Sequence, residues 1–150
     1  MEIAQLRATL RRHRRIALDA NLFIYHTERN PTYFDLADEV FAWLESAGNS
    51  ALTSTVTMTE LLVRPYQIGD QVLLGALYNL LSTYPHLDWI SVDLTVADLA
   101  AKIRAQHRLK TPDAMQAAST IFGQATALVT NDRIFQGIPD FQTVLLDDYL

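Results

Sequence analysis

The chain has 150 residues, is 49% hydrophobic, contains no cysteine and carries a formal net charge of −5. That length supplies one compact core rather than two, so a single domain over residues 1–150 is expected. The absence of cysteine excludes disulfides, zinc–thiolate sites and a cysteine nucleophile. No stretch approaches the roughly 20 apolar residues of a membrane helix, so a cytoplasmic protein without membrane contact is expected.

The opening segment is chemically distinct. Residues 1–15 hold five arginines against Glu2, whereas residues 16–150 carry a net −9. Ile3, Leu6 and Leu10 recur at helical spacing, which predicts a short amphipathic helix ahead of the first strand. The run Arg11-Arg12-His13-Arg14-Arg15 reads first as a solvated face and second as a contact for RNA backbone or an acidic partner. Ile16-Ala17-Leu18 is a short apolar strand ending on Asp19. Phe34, Ala37, Phe41 and Leu44 predict a helix over 33–46. Ala51-Leu52-Thr53 is a second strand, and residues 58–63 and 71–83 read as helices. The second of these carries Leu73, Leu74, Leu77, Leu80 and Leu81 on one face, as core or dimer interface. Trp89-Ile90-Ser91-Val92 is a third strand, followed by a helix over 95–107 with Val96, Leu99, Ala100 and Ile103 inward. A helix over 112–123 is expected with Thr111 as N-cap and Pro112 at its first position. Ala127–Thr130 and Thr143–Leu146 complete a set of about five strands. Short apolar strands alternating with helices predict a three-layer α/β/α sandwich on a mostly parallel sheet. Its ligand crevice belongs at the carboxyl ends of the strands.

Four acids gather at that edge in the sequence reading. Asp19 and Asp132 follow strands; Glu60 and Asp113 are each expected in the first turn of a helix. Each has an ordinary explanation. Asp19 closes an Asx turn, Glu60 completes a capping box with Thr57, Asp113 faces a positive helix end, and Asp132 caps a short helix at 133–136. Jointly they mean more, because converging carboxylates repel unless a cation shares them. A hard divalent cation takes such oxygen donors and serves phosphodiester hydrolysis.

The residues also carry a resemblance. Leu18-Asp19-Ala20-Asn21-Leu22-Phe23-Ile24-Tyr25, Thr57-Met58-Thr59-Glu60-Leu61-Leu62, Thr111-Pro112-Asp113-Ala114-Met115-Gln116-Ala117-Ala118 and Leu128-Val129-Thr130-Asn131-Asp132-Arg133-Ile134-Phe135 resemble, in order and spacing, the four motifs of the PIN-domain superfamily. The compact size resembles its VapC-like toxin branch. The resemblance implies a Mg²⁺- or Mn²⁺-dependent endoribonuclease. In it Asp19, Asp113 and Asp132 would hold metal, and Glu60 would help position the attacking water. Asn21, expected to orient Asp19, Thr130 and Asn131 would support them. It further implies a cognate antitoxin and a homodimer. Family members usually start almost at the first strand, whereas about 15 residues precede it here. Arg64, Lys110 and Arg133 lie within four residues of a proposed acid and are candidates for substrate phosphates, Arg133 foremost.

His107 reads as a helix C-terminal cation rather than a base. Tyr25, Tyr66 and Tyr84 read as packing residues ahead of base-stacking ones. The competing function is a non-catalytic PIN-like module binding RNA or protein. A haloacid-dehalogenase-type phosphohydrolase is disfavoured, because Asn21 stands where that chemistry needs a second aspartate. No glycine-rich phosphate loop is present.

Overall fold

Five short strands, Arg15–Leu18 (β1), Ser50–Ser54 (β2), Leu87–Ile90 (β3), Ala127–Thr130 (β4) and Gln142–Leu145 (β5), pair wholly in parallel. Their order is β3-β2-β1-β4-β5 in a computed structural model that describes residues 1–150. The chain leaves β1 toward one edge and later returns to its other side, so the strand order reverses between β1 and β4. Crevices of open parallel sheets form at such reversals, beyond the strands' carboxyl ends.

Each strand's pleat feeds two cores. Ile16 and Leu18 point into a cluster with Leu6, Leu36, Val40 and Leu44, while Ala17 points into one with Val96, Ile103 and Ala117. This alternation is the period of two of a strand buried on both faces. The first cluster is covered by α1 (Ile3–Leu10), α2 (Ala20–Thr27), α3 (Phe34–Glu45), α4 (Thr55–Ile68) and α5 (Gln71–Ser82). The second is covered by α6 (Leu94–His107) and α7 (Thr111–Phe122). The architecture is the expected α/β/α sandwich.

The opening helix buries Leu6 and Leu10 completely against α3. It is also tied to the chain end, because the Glu2 amide donates to the Tyr149 carbonyl at 2.7 Å.

Several local readings differ from the structure. The sequence reading missed α2, because Leu22-Phe23-Ile24-Tyr25 offers no apolar–polar period. The strand expected over Trp89–Val92 is shifted to Leu87–Ile90. The helix expected over 58–63 starts at Thr55 and runs through Pro65 to Ile68. Ser54 caps it by accepting from the Val56 amide, so Glu60 is in its second turn and forms no capping box with Thr57. Likewise Lys110, not Thr111, occupies the N-cap of α7. The leucine stripe of α5 is mostly uncovered: only Leu81 is buried, while Leu73 and Leu80 are exposed.

Candidate active site

β1 delivers Asp19 to the point where the strand order reverses, and the Asp19 amide still donates to Val129 of β4 at 3.1 Å. The carboxylate is held from two sides. Its Oδ1 accepts from the Ala20 amide at 2.8 Å, making Asp19 the N-cap of α2, and its Oδ2 accepts from the Thr130 hydroxyl at 2.6 Å. The same Thr130 oxygen accepts from the Asp132 amide at 3.0 Å. Asp132 in turn caps the short 3-10 helix Arg133–Gly137 through the Ile134 amide. One buried threonine at the end of β4 therefore sets the two strand-end acids relative to each other.

Glu60 approaches from α4 and Asp113 from the first turn of α7. A crevice of about 230 Å³ is lined by all four acids together with Asn21, Ile24 and Gln116. None of the four is in an ion pair. Burial, opposed by the Thr130 and Ala20 bonds, holds Asp19 above the usual aspartate range, and Asp132 adds to the rise. Burial raises Glu60 as well, followed by repulsion from Asp19 and Asp113. Asp113 is raised by burial and by Asp132 and Asp19, with Lys110 pulling it down. Each of these three acids thus feels at least one other acid of the crevice, which geometry alone would suggest and electrostatics makes concrete.

Beneath the crevice lies a buried polar hub that sequence reasoning missed. Gln116 Nε2 donates to the Leu18 carbonyl at 2.9 Å, and Thr53 donates to the same oxygen at 2.8 Å. With its proton on Leu18, Thr53 can only accept from Thr57 at 2.7 Å, and Gln116 Oε1, 3.3 Å from the Thr57 hydroxyl, is the alternative acceptor for that one proton. Leu18 immediately precedes Asp19, Thr57 is one turn before Glu60, and Gln116 is one turn after Asp113. The hub joins the three elements that carry three of the acids. The signal in the sequence was a glutamine on an otherwise alanine-rich buried helix face.

Asn21 makes no hydrogen bond to the Asp19 carboxylate, whose partners are the Ala20 amide and Thr130. Its Oδ1 is buried without a hydrogen-bond partner, an uncommon and costly condition for a buried oxygen. Asn131 instead anchors the β4 loop to the chain end: its Oδ1 accepts from the Asp147 amide at 2.9 Å and its Nδ2 donates to Tyr25 at 3.4 Å. Of the three basic candidates, Lys110 acts on Asp113 and Arg64 shares with Glu60 an adjoining groove between α2, α4 and α5. Arg133 lies 3.6 Å from Asp148, outside the residues that line the crevice.

The donor set suits a hard divalent cation, since it offers only oxygens, lacks a paired arginine and includes an orphaned amide oxygen. No group of three or more acidic or histidine side chains is arranged to enclose one ion directly. A Mg²⁺ ion needs no such group, since it is commonly held by one or two carboxylates with waters completing its shell.

These features coincide with a family match. The chain belongs to the PIN-domain family, whose model covers residues 16–140. A search of curated protein sequences finds no match. Among solved structures, the chain is similar to a toxin–antitoxin complex from Klebsiella pneumoniae, with 20% identity, a TM-score of 0.67, and coverage of 87% of this chain and 97% of that one. It is similar also to DNA-bound VapBC from Salmonella typhimurium, with 21% identity, a TM-score of 0.63, and coverage of 88% and 98%. FitAcB from Neisseria gonorrhoeae gives 19% identity, a TM-score of 0.65, and coverage of 87% and 97%. At these identities the likeness is one of fold. Residues 1–15, with their five arginines, lie outside the family match. No helix is long and apolar enough to cross a membrane.

Proposed function

We propose that the chain is a Mg²⁺- or Mn²⁺-dependent endoribonuclease and the toxin of a toxin–antitoxin pair. One observation carries the reading: four acids from four separate elements line one crevice at the sheet's topological reversal, and none of them is in an ion pair. Asp19 and Asp113, with Asp132, would hold the cation, which when bound would polarise the scissile phosphate and lower the pKa of an attacking water. The chain's own residues do the rest. Thr130 and the Ala20 amide fix both Asp19 oxygens. Glu60, held above its usual range, is suited to orient a water and take up its proton. Lys110, near enough to Asp113 to lower its pKa, and Arg64, in the groove that adjoins at Glu60, would contact substrate phosphates.

The partner reading rests on uncovered apolar surface. The α4–α5 hairpin exposes Tyr66, Ile68, Val72, Tyr78 and Leu80. Beside it runs a groove of about 460 Å³ lined by Ile24, Leu61, Ile68, Leu73 and Leu77. Exposed apolar patches on this scale suit a protein partner. An antitoxin and a second copy of the chain both meet that description; the similar Klebsiella pneumoniae structure is a toxin–antitoxin complex, which supports the first.

The lack of a tight three-acid cluster favours one alternative, a PIN module that binds without cutting. Incubating purified protein with single-stranded RNA separates the two. The nuclease reading expects cleavage with Mg²⁺ or Mn²⁺, none with EDTA, and none from Asp19→Asn. Full cleavage by that variant would remove the site; no cleavage by the wild type under any metal would favour the binding module.

A further inference from the structure

Taking RNA cleavage in the acidic crevice as given, we infer that the cationic groove between α6 and α7 is the track for the phosphate backbone of the strand leaving that crevice. The groove, about 510 Å³, is lined by alanines of α6 and α7 with Leu109 and Met115, and by Arg104, Arg108 and Thr111. Its near end is the turn into α7, where Thr111 is followed by Pro112 and Asp113 of the crevice wall. Arg104 lies in the last turn of α6, Arg108 is the left-handed C-cap that ends the helix, and Lys110 follows two residues on. All three are exposed, and none takes part in an ion pair. No acid occurs between Asp98 and Asp113.

Charge balance requires such a surface somewhere. The chain is net −5 and its crevice is acidic, whereas affinity for nucleic acid comes mainly from cations on phosphates. The track adjoins the crevice and carries the same sign throughout. The other arginine cluster, Arg7, Arg11 and Arg14, is less suited. It lies at the N-terminal end of β1, the far edge of the sheet from Asp19, and Arg7 is bound to Glu39 by two hydrogen bonds. A second copy of the chain fits the groove poorly, because packing on it would bury two guanidinium groups that have no partner of their own. From Ala97 to His107 the helix rises roughly 15 Å at about 1.5 Å per residue, enough for about four phosphates of a stacked strand at about 3.4 Å each.

The test uses the full chain carrying Asp19→Asn, so that RNA is bound but not cut. Affinity for a long unstructured RNA is measured against salt, with and without Arg104→Glu/Arg108→Glu. The track predicts that the reversal weakens binding on the order of tenfold at low salt and makes the salt dependence shallower by about 1.4, at about 0.7 per phosphate contact on a single strand. The neutral pair Arg104→Gln/Arg108→Gln should fall between. In the cleavage-competent protein, kcat/KM should drop further for long RNA than for a tetranucleotide too short to reach Arg104. Unchanged affinity and slope would overturn the track. So would a change in sedimenting mass, which would make the groove an interface between copies, or stronger competition by polyglutamate than by RNA, which would make it a site for an acidic protein. Because the binding arm needs no catalysis, failure of the wild type to cut RNA would withdraw the nuclease reading while the groove is still judged on its own.

Discussion

Glu60→Gln should make the metal-free protein more stable while impairing its chemistry. The side chain stands at the exposed rim of the crevice in the second turn of α4 and makes no hydrogen bond. Glutamine keeps its shape and its helix propensity, so the substitution removes charge and little else. Burial, then Asp19, then Asp113 raise the Glu60 pKa above its usual value of 4.5. An acid whose folded pKa is raised binds more protons folded than unfolded. Its destabilising effect is therefore absent below pH 4.5 and grows as pH climbs through the folded value. Solvent screening at the rim keeps this small, about 0.5–1 kcal/mol at neutral pH. For a chain of this size that is roughly 1–4 °C in Tm. Thermal unfolding of both proteins in EDTA, followed from pH 4 to 8, reads the effect: the Tm gap should open with pH and shrink in high salt. Saturating Mg²⁺ or Mn²⁺ should then narrow the gap, since a cation held by the neighbouring aspartates offsets the repulsion that Glu60 feels. A variant less stable than the wild type at pH 7, or a gap independent of pH, would refute the claim that these acids repel.

Thr130→Val removes the donor to Asp19 and the acceptor of the Asp132 amide in one step. It should cost about 1–3 kcal/mol in denaturant unfolding and raise the Asp19 pKa further, shifting the acid limb of any pH–rate profile upward. Gln116→Leu takes one of two donors from the Leu18 carbonyl and leaves Thr53 as the sole acceptor for the Thr57 hydroxyl. Chemical denaturation should show a loss of about 1–3 kcal/mol, and kcat should fall more than KM changes as the acids lose register. Gly123→Ala, at the end of α7, directs a Cβ into the Leu52 side chain and toward the Ser119 carbonyl. Overpacking there should lower stability by about 1–3 kcal/mol without altering metal affinity, as a melt and a titration would show.

Most of the layered fold is legible in the sequence because its central strands are short and apolar. Ile16–Leu18 and Ala127–Thr130 carry no charged residue, so only a sheet covered on both faces can hold them. The acids at their ends were legible for the same reason: a charge directly after such a run has to sit at the sheet's edge. What failed was local. The β-branched run Thr55-Val56-Thr57 hides the start of α4, so the Thr57–Glu60 spacing imitated a helix cap one turn too late. Leu22–Tyr25 is apolar throughout, and a helix without a polar face has no period to detect.

The supporting residues were the least legible. Gln116 finds the Leu18 carbonyl across 98 positions of sequence, a pairing no local pattern announces. The resemblance implies that Asn21 orients Asp19, yet the side-chain donor to Asp19 is Thr130, 111 residues away. The α5 stripe shows the limit of periodicity itself. Spacing reveals that Leu73, Leu77 and Leu80 share a face, but whether the chain covers that face depends on elements elsewhere, and here it stays largely open.

A calorimetric titration of Mn²⁺ into the wild type and into Asp19→Asn bears most directly on the site. Saturable binding by the wild type that weakens at least tenfold in the variant is the expected result, in line with the loss from a disturbed ligand shell. Equal affinities in the two proteins, or no heat of binding in either, would contradict a cation held by these carboxylates.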